Sequence, residues 1–284
     1  MGRTATTWQL MKDSWGVLMR DKELLAFPLA SGVACLLVLV MFAVPVLGVG
    51  VAGASGALRG GGGELAGYAL LFCWYLANFF VVFYFNAALV DFVLTRIAGE
   101  EPTLRGSLRA AAACLPQIAA WAFLSATVGV VLNALQSRAG FVGRLVVSLI
   151  GFAWALVTYF VVPVIVVERK GALEAVGESK ELLGRTWGRQ IVSGLAYGLI
   201  WFLLALPAIA AIFVAIVGAI ASHGQSAGGW GSLAVLAVVY LIALGIVLSA
   251  LRSIFGAVLY RFAKTGHAPY GFAESDLRAA MRPA

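Results

Sequence analysis

One arginine stands where a charge is expensive. Arg252 interrupts an otherwise uncharged stretch from Trp230 to Tyr260 and lies nine residues before Arg261. On a helix that places it about 13 Å deeper than Arg261. A central Arg in a membrane costs from about 3 kcal/mol upward unless it snorkels or is paired. Two roles fit such a residue: a site for an anion or lipid headgroup, or an internal tie hydrogen-bonded to neighbouring helices. No second deep charge accompanies it, which favours the tie. Aligning Phe85 with Phe255 puts Val82 level with Arg252, and Asn78 and Asn86 one turn to either side. An Arg side chain reaches a turn inward, so Asn86 is the expected partner for the guanidinium, and Asn78 the second candidate. The same alignment sets Asp91 level with Arg261, an expected structural ion pair at the membrane edge.

Other chemistry is thinly supplied. The two His and three Cys have neither C-x-x-C nor H-x-x-x-H spacing, so neither a metal site nor a redox pair is expected. Cys35, Cys73 and Cys114 sit in apolar runs and behave there as small hydrophobes. The Gly-dense stretch from Gly48 to Gly67 lacks the G-K-[ST] ending of a phosphate loop and reads as a connector. Ser-His-Asp, paired-carboxylate and H-E-x-x-H arrangements are absent at usable depth. The expectation is a protein that is not an enzyme and needs no cofactor.

The elements that would position these residues follow from composition. Of 284 residues 62% are apolar and 12% charged, and the mean hydropathy is +0.97. A soluble chain of this length would have too little polar surface to cover its core. A helix needs roughly 20 apolar residues to cross about 30 Å of hydrocarbon. Six such stretches run from Leu24 to Val51, Leu65 to Val90, Ala110 to Gln136, Leu145 to Val167, Ile191 to Ala221 and Trp230 to Tyr260. Pro207 should tilt or kink the fifth. The first is too long, and starts too late, for a cleaved signal peptide. Sixteen Lys and Arg fall in the N-terminus, the 2/3 and 4/5 loops and the C-terminus, against Arg59, Arg138 and Arg144 on the other side. This bias predicts a multi-pass protein of the inner (cytoplasmic) membrane with both termini cytoplasmic. The net charge of +7 then follows from topology and attraction to anionic lipid, and no nucleic-acid partner is expected.

A short amphipathic segment precedes each odd-numbered stretch. In the first, Trp8, Met11, Trp15 and Leu18 share a stripe apart from Lys12, Asp13 and Arg20; the second carries Leu104, Leu108 and Leu115; the third carries Leu173, Val176, Leu183 and Trp187. Such segments lie in the membrane surface, and Trp8, Trp15 and Trp187 are the expected interface anchors. Asp13-Ser14, Leu18 and Arg20 align with Glu178-Ser179, Leu183 and Arg185. The predicted architecture is all-α: one transmembrane domain over 1–284, built as three helix hairpins, each preceded by an interfacial helix. The pseudo-repeats span roughly 5–95, 103–168 and 172–262, with a cytoplasmic tail over 263–284. Gly245, Ser249, Ser253 and Ala257, and Gly194 with Gly198, are spaced to form close-packing faces.

The opening Trp8-Gln9-Leu10-Met11-Lys12-Asp13-Ser14-Trp15, followed by Asp21-Lys22-Glu23-Leu24-Leu25-Ala26-Phe27-Pro28-Leu29, resembles the start of a prokaryotic family, the domain of unknown function 6159. That resemblance implies a six-span integral membrane protein over essentially the whole chain, and it implies no activity. The layout of surface helix and hairpin is also similar to the membrane domain attached to some glycerophosphodiester phosphodiesterases, whose catalytic domain has no counterpart here. Two functions remain. One is a non-catalytic component binding lipid or a membrane-protein partner through its interfacial helices and small-residue faces. The other is a transporter or channel whose hairpins surround a passage for a small, anionic solute near Arg252, which a cavity between the even-numbered helices would favour.

Overall fold

The computed structural model describes residues 3–54, 61–221 and 227–266, with side chains over 12–48, 65–184, 202–221 and 228–266. The described residues form α-helices joined by short turns: α1 (Arg3–Arg20), a 3-10 turn (Lys22–Leu25), α2 (Ala26–Ala54), α3 (Gly61–Ile97), α4 (Leu104–Ala112), α5 (Leu115–Arg138), α6 (Phe141–Val157), α7 (Val161–Glu168), α8 (Ala172–Ala221) and α9 (Ala227–Thr265). Six segments are long and apolar enough to cross a bilayer: Lys22–Gly48, Leu65–Ile97, Leu115–Arg138, Phe141–Glu168, Phe202–Ala221 and Gly228–Thr265. The chain is a multi-span membrane protein. Helices suit it because each satisfies its backbone polar groups within itself, which hydrocarbon demands.

Three elements depart from the sequence expectation. The third span begins at Leu115 rather than Ala110, because α4 ends at Ala112 and Pro116 falls in the first turn of α5. The fourth is two helices, not one. Pro163 cannot donate to the carbonyl a turn before it and its ring crowds that turn, and Thr158, Tyr159 and Phe160 unwind between α6 and α7. The third amphipathic segment is not a separate interfacial helix: it continues unbroken into the fifth span as the 50-residue α8, which runs through Pro207 without interruption.

The centre of the bundle is α3, which touches α2, α4, α5, α7 and α9. Burial is concentrated toward one end of the spans, where Ala87 to Val90, Phe160 to Ile165 and Ile254 to Tyr260 are packed, apart from intermediate stretches. This is the basic end, marked by the Asp21–Arg96 ion pair and by Lys170 and Lys264. Here α4 lies on α3, α8 on α7, and α1 on α9, and each of those amphipathic segments brings one buried serine: Ser107, Ser179 and Ser14.

Ser179 shows what such a serine does. The unwound turn leaves backbone groups without helical partners, a cost that buried polar groups must avoid. Ser179 Oγ donates to the Val157 carbonyl and accepts from the Phe160 amide at 3.0 Å, clasping the break from α8. Further bonds tie the basic end together: Tyr84 Oη donates to the Leu108 carbonyl at 3.2 Å, and Tyr260 Oη to Glu168 at 2.8 Å.

Candidate functional site

A cavity of about 540 Å³ opens between the spans, walled by α3, α5, the α6/α7 break and α9, with Pro28 and Ser31 of α2 at its side. On each wall the lining residues follow a helical face: Trp121, Ser125, Val128, Gly129 and Leu132 on α5, and Ser249, Arg252, Ser253, Gly256 and Ala257 on α9. Aromatic rings build much of the rest. Phe79 stacks on Phe83 at 5.6 Å, Phe83 meets Trp121 at 5.6 Å, and Trp121 stacks on Trp154 at 6.0 Å. These rings are rigid and large, so they hold the space open instead of collapsing into it.

Among the described residues Arg252 is the sole charged one that lines the cavity. Its guanidinium lies 5.9 Å from the centroid of the Tyr159 ring, within the range where a cation is drawn to an aromatic face. Tyr159 reaches this position because it belongs to the unwound turn. Gly256, on the same wall as Arg252, leaves room for it: a Cβ there would stand 3.2 Å from the Tyr159 hydroxyl. Two donors on the α5 wall, Trp121 Nε1 and Ser125 Oγ, have no hydrogen-bond partner among the described residues, in residues 3% and 7% exposed. A buried polar group left unpaired costs about 1–3 kcal/mol.

The residues singled out in the sequence are distributed as follows. Asn86 and Arg252 line the same cavity, but the Asn86 amide oxygen accepts from Ser253 Oγ at 2.9 Å. The neighbour of Arg252 on α9 takes the bond expected for Arg252, because Ser253 faces α3 at short range and its side chain needs no extension. Asn78 turns back on its own helix, donating to the Trp74 carbonyl at 2.9 Å, and is not part of the lining. Asp91 and Arg261 take different partners: Asp91 turns to the buried Ser107 hydroxyl, and Arg261 Nη1 donates to the Leu94 carbonyl at 3.3 Å. The alignment matched depth, while the facing of the two helices sends the side chains apart. Trp15 is exposed on α1, whereas the side chains of Trp8 and Trp187, with His223, His267 and the C-terminal tail, lie outside the described residues. Ser249, Ser253 and Ala257 form a cavity wall, and Gly245 faces open space instead of a close seam.

At the basic ends of the fourth and sixth spans, Lys170 and Lys264 alternate with Glu168 and Glu178. Lys170 pairs with Glu168 at 2.7 Å and Glu178 at 2.8 Å, and Lys264 pairs with Glu168 at 2.9 Å and with Glu178. Hydrogen bonds from Lys170 and Lys264 hold the Glu178 carboxyl below its ordinary pKa, and those to Glu168 and Glu178 raise that of Lys170. The quartet locks the ends of α7 and α9 to α8. Among the described residues no three His, Cys, Asp or Glu gather as a metal-binding group.

A family model described as a family of unknown function, DUF6159, matches residues 65–271. The chain belongs to this family. The match begins at the second span, so it takes in every wall of the cavity except Pro28 and Ser31, and it excludes the N-terminal motif that carried the resemblance. No curated protein and no solved structure matches the chain. Sequence reasoning missed Trp121, Ser125 and Tyr159. The signal was present for α5: Trp121, Ser125, Val128 and Leu132 keep one helical phase, with a hydroxyl and an indole inside an apolar span.

Proposed function

We propose that this protein is a non-catalytic membrane component that takes a lipid or similar amphiphile into the cavity between its spans. The observation that supports this is a cavity of about 540 Å³ with mostly apolar, aromatic walls and one charge, Arg252. Small-molecule sites have this character: volumes of about 300–1,000 Å³, apolar linings and a few placed polar groups. The Lys and Arg bias argues that the basic end faces the cytoplasm, with both termini there, and that the amphipathic segments engage the inner leaflet of the cytoplasmic membrane. Purification in mild detergent followed by native mass spectrometry should find a stoichiometric lipid that is lost in Val82→Trp, which fills the cavity from α3. A lipid-free protein, or equal lipid content in the filled variant, would overturn the proposal. Labelling of Lys180→Cys by an impermeant reagent in intact cells, in a background lacking the three native Cys, would overturn the orientation.

A second reading, passage of a small anionic solute, draws on two observations. The second, fourth and sixth spans all wall the cavity, and the fourth is unwound at Thr158 to Phe160, as spans of transporters are at their binding sites. Anion flux into proteoliposomes, abolished by Val82→Trp, would favour it.

A further inference from the structure

We propose that the cavity is a site for a single-chain amphiphile with an anionic oxygen head, a carboxylate or phosphate, held by Arg252 together with Trp121 and Ser125. This rests on the lipid-binding reading above and names the class of lipid.

The sign of the head follows from the lining. Among the described residues Arg252 is the one charge lining the cavity and no carboxylate joins it, so the guanidinium has a neutral aromatic face beside it and no counter-ion there. A guanidinium in such a place recognises carboxylate or phosphate through short, charge-assisted bonds. The atom type follows from the opposite wall. An indole Nε1 can only donate, and Trp121 Nε1 is buried without an acceptor. Ser125, four residues on and therefore on the same helical face, is buried with its hydroxyl unpartnered as well. Two donors and a cation complement a ligand rich in oxygen acceptors, and a cationic head would leave both donors unmatched and be repelled by the guanidinium.

The tail follows from the walls and the size. Phe79, Phe83, Val128 and Leu132 offer only apolar surface. The cavity of about 540 Å³ corresponds to roughly 18 water volumes at about 30 Å³ each. A methylene is of similar size, so the space holds one chain with its head.

The test uses the full-length protein in detergent, titrated with a medium-chain fatty acid and counted by native mass spectrometry. The methyl ester of that acid removes the charge, and sodium acetate and inorganic phosphate supply the anion without the chain. The acid should bind one per chain and the ester at least about tenfold more weakly, the worth of a charged hydrogen bond. Arg252→Gln should lose the same factor and Arg252→Lys should recover part of it. Trp121→Phe, which keeps the ring stack, and Ser125→Ala should each weaken the acid about threefold. Thermal unfolding of each variant reports that it is folded, and Arg252→Lys carries the comparison if Arg252→Gln is not. Equal binding of acid and ester would overturn the anionic head while lipid binding stands. Acetate or phosphate binding as tightly as the acid would overturn the amphiphile in favour of a free anion. Binding of neither acid nor ester would overturn this inference and the lipid-binding function together.

Discussion

The two halves of the bundle are made of the same kinds of residue and are held in opposite ways. At the basic end Phe92 is 1% exposed and meets Phe27 edge-on at 5.8 Å; bonds from Ser179, Tyr260 and Arg261 cross between helices. Toward the opposite end Leu37 is 66% exposed, and Val40, Val44, Phe141 and Val142 are likewise outward. In water such a surface would be a liability, but among lipid tails an exposed Leu loses nothing, because hydrocarbon surrounds it in either state. The fold is therefore fastened at one end by packing and hydrogen bonds and left open at the other to lipid. The cavity lies where the two regimes meet, with buried Leu89 and Val90 on one side and Val128 and Leu132 on the other.

That contrast can be broken by substitution, read as unfolding free energy in mixed micelles. Phe92→Ala should cost about 3–5 kcal/mol, whereas Leu37→Ala should stay within about 0.5 kcal/mol. Equal costs would mean that the halves are not held differently. Ser179→Ala strips the clasp from the unwound turn and should cost about 2 kcal/mol, with faster amide exchange at Phe160 as its local signature. Unchanged exchange would show that the break holds itself.

The charged quartet should sharpen the picture with a smaller effect. Glu178 has a pKa depressed by Lys170 and Lys264, so its stabilisation is fully present above its unfolded value of about 4.3 and is lost as pH falls through the lower folded value. Lys170, raised by Glu168 and Glu178, stabilises below its unfolded value of about 10.4 and stops doing so only as pH rises through the raised one. Stability should be flat between about pH 5 and 9, with an acid loss of about 1 kcal/mol that Glu178→Gln reduces, because Glu168 keeps its own pairs with Lys170 and Lys264. Smallest is the Asn86–Ser253 bond: a double-mutant cycle of Asn86→Ala with Ser253→Ala should give a coupling of about 0.6 kcal/mol. Asn86→Ala with Arg252→Met should be additive.

The six spans were legible because length and hydropathy are properties of a continuous run. The split of the fourth was not, since every residue from Leu145 to Val167 is uncharged and mostly apolar, so periodicity is silent there and Pro163 was the only mark. The alignment of Phe85 with Phe255 brought Asn86 and Arg252 to one cavity but gave Asn86 the wrong partner. Sequence fixes position along a helix, and rotation about it depends on neighbours that a span in lipid does not announce. Trp121 sits inside the apolar run from Ala110 to Gln136, and its partners, Phe83 and Trp154, come from other helices.

The contact of α1 with α9 has a consequence in time. Arg20 and Ala250 are 230 residues apart, and synthesis proceeds at about 5–20 residues per second. α1 is thus complete roughly 10–45 s before the helix it rests on. Through that interval its apolar stripe has only the bilayer surface to lie against, and an amphipathic helix can wait there without aggregating. A chain halted before α9 would leave α1 still without its seat.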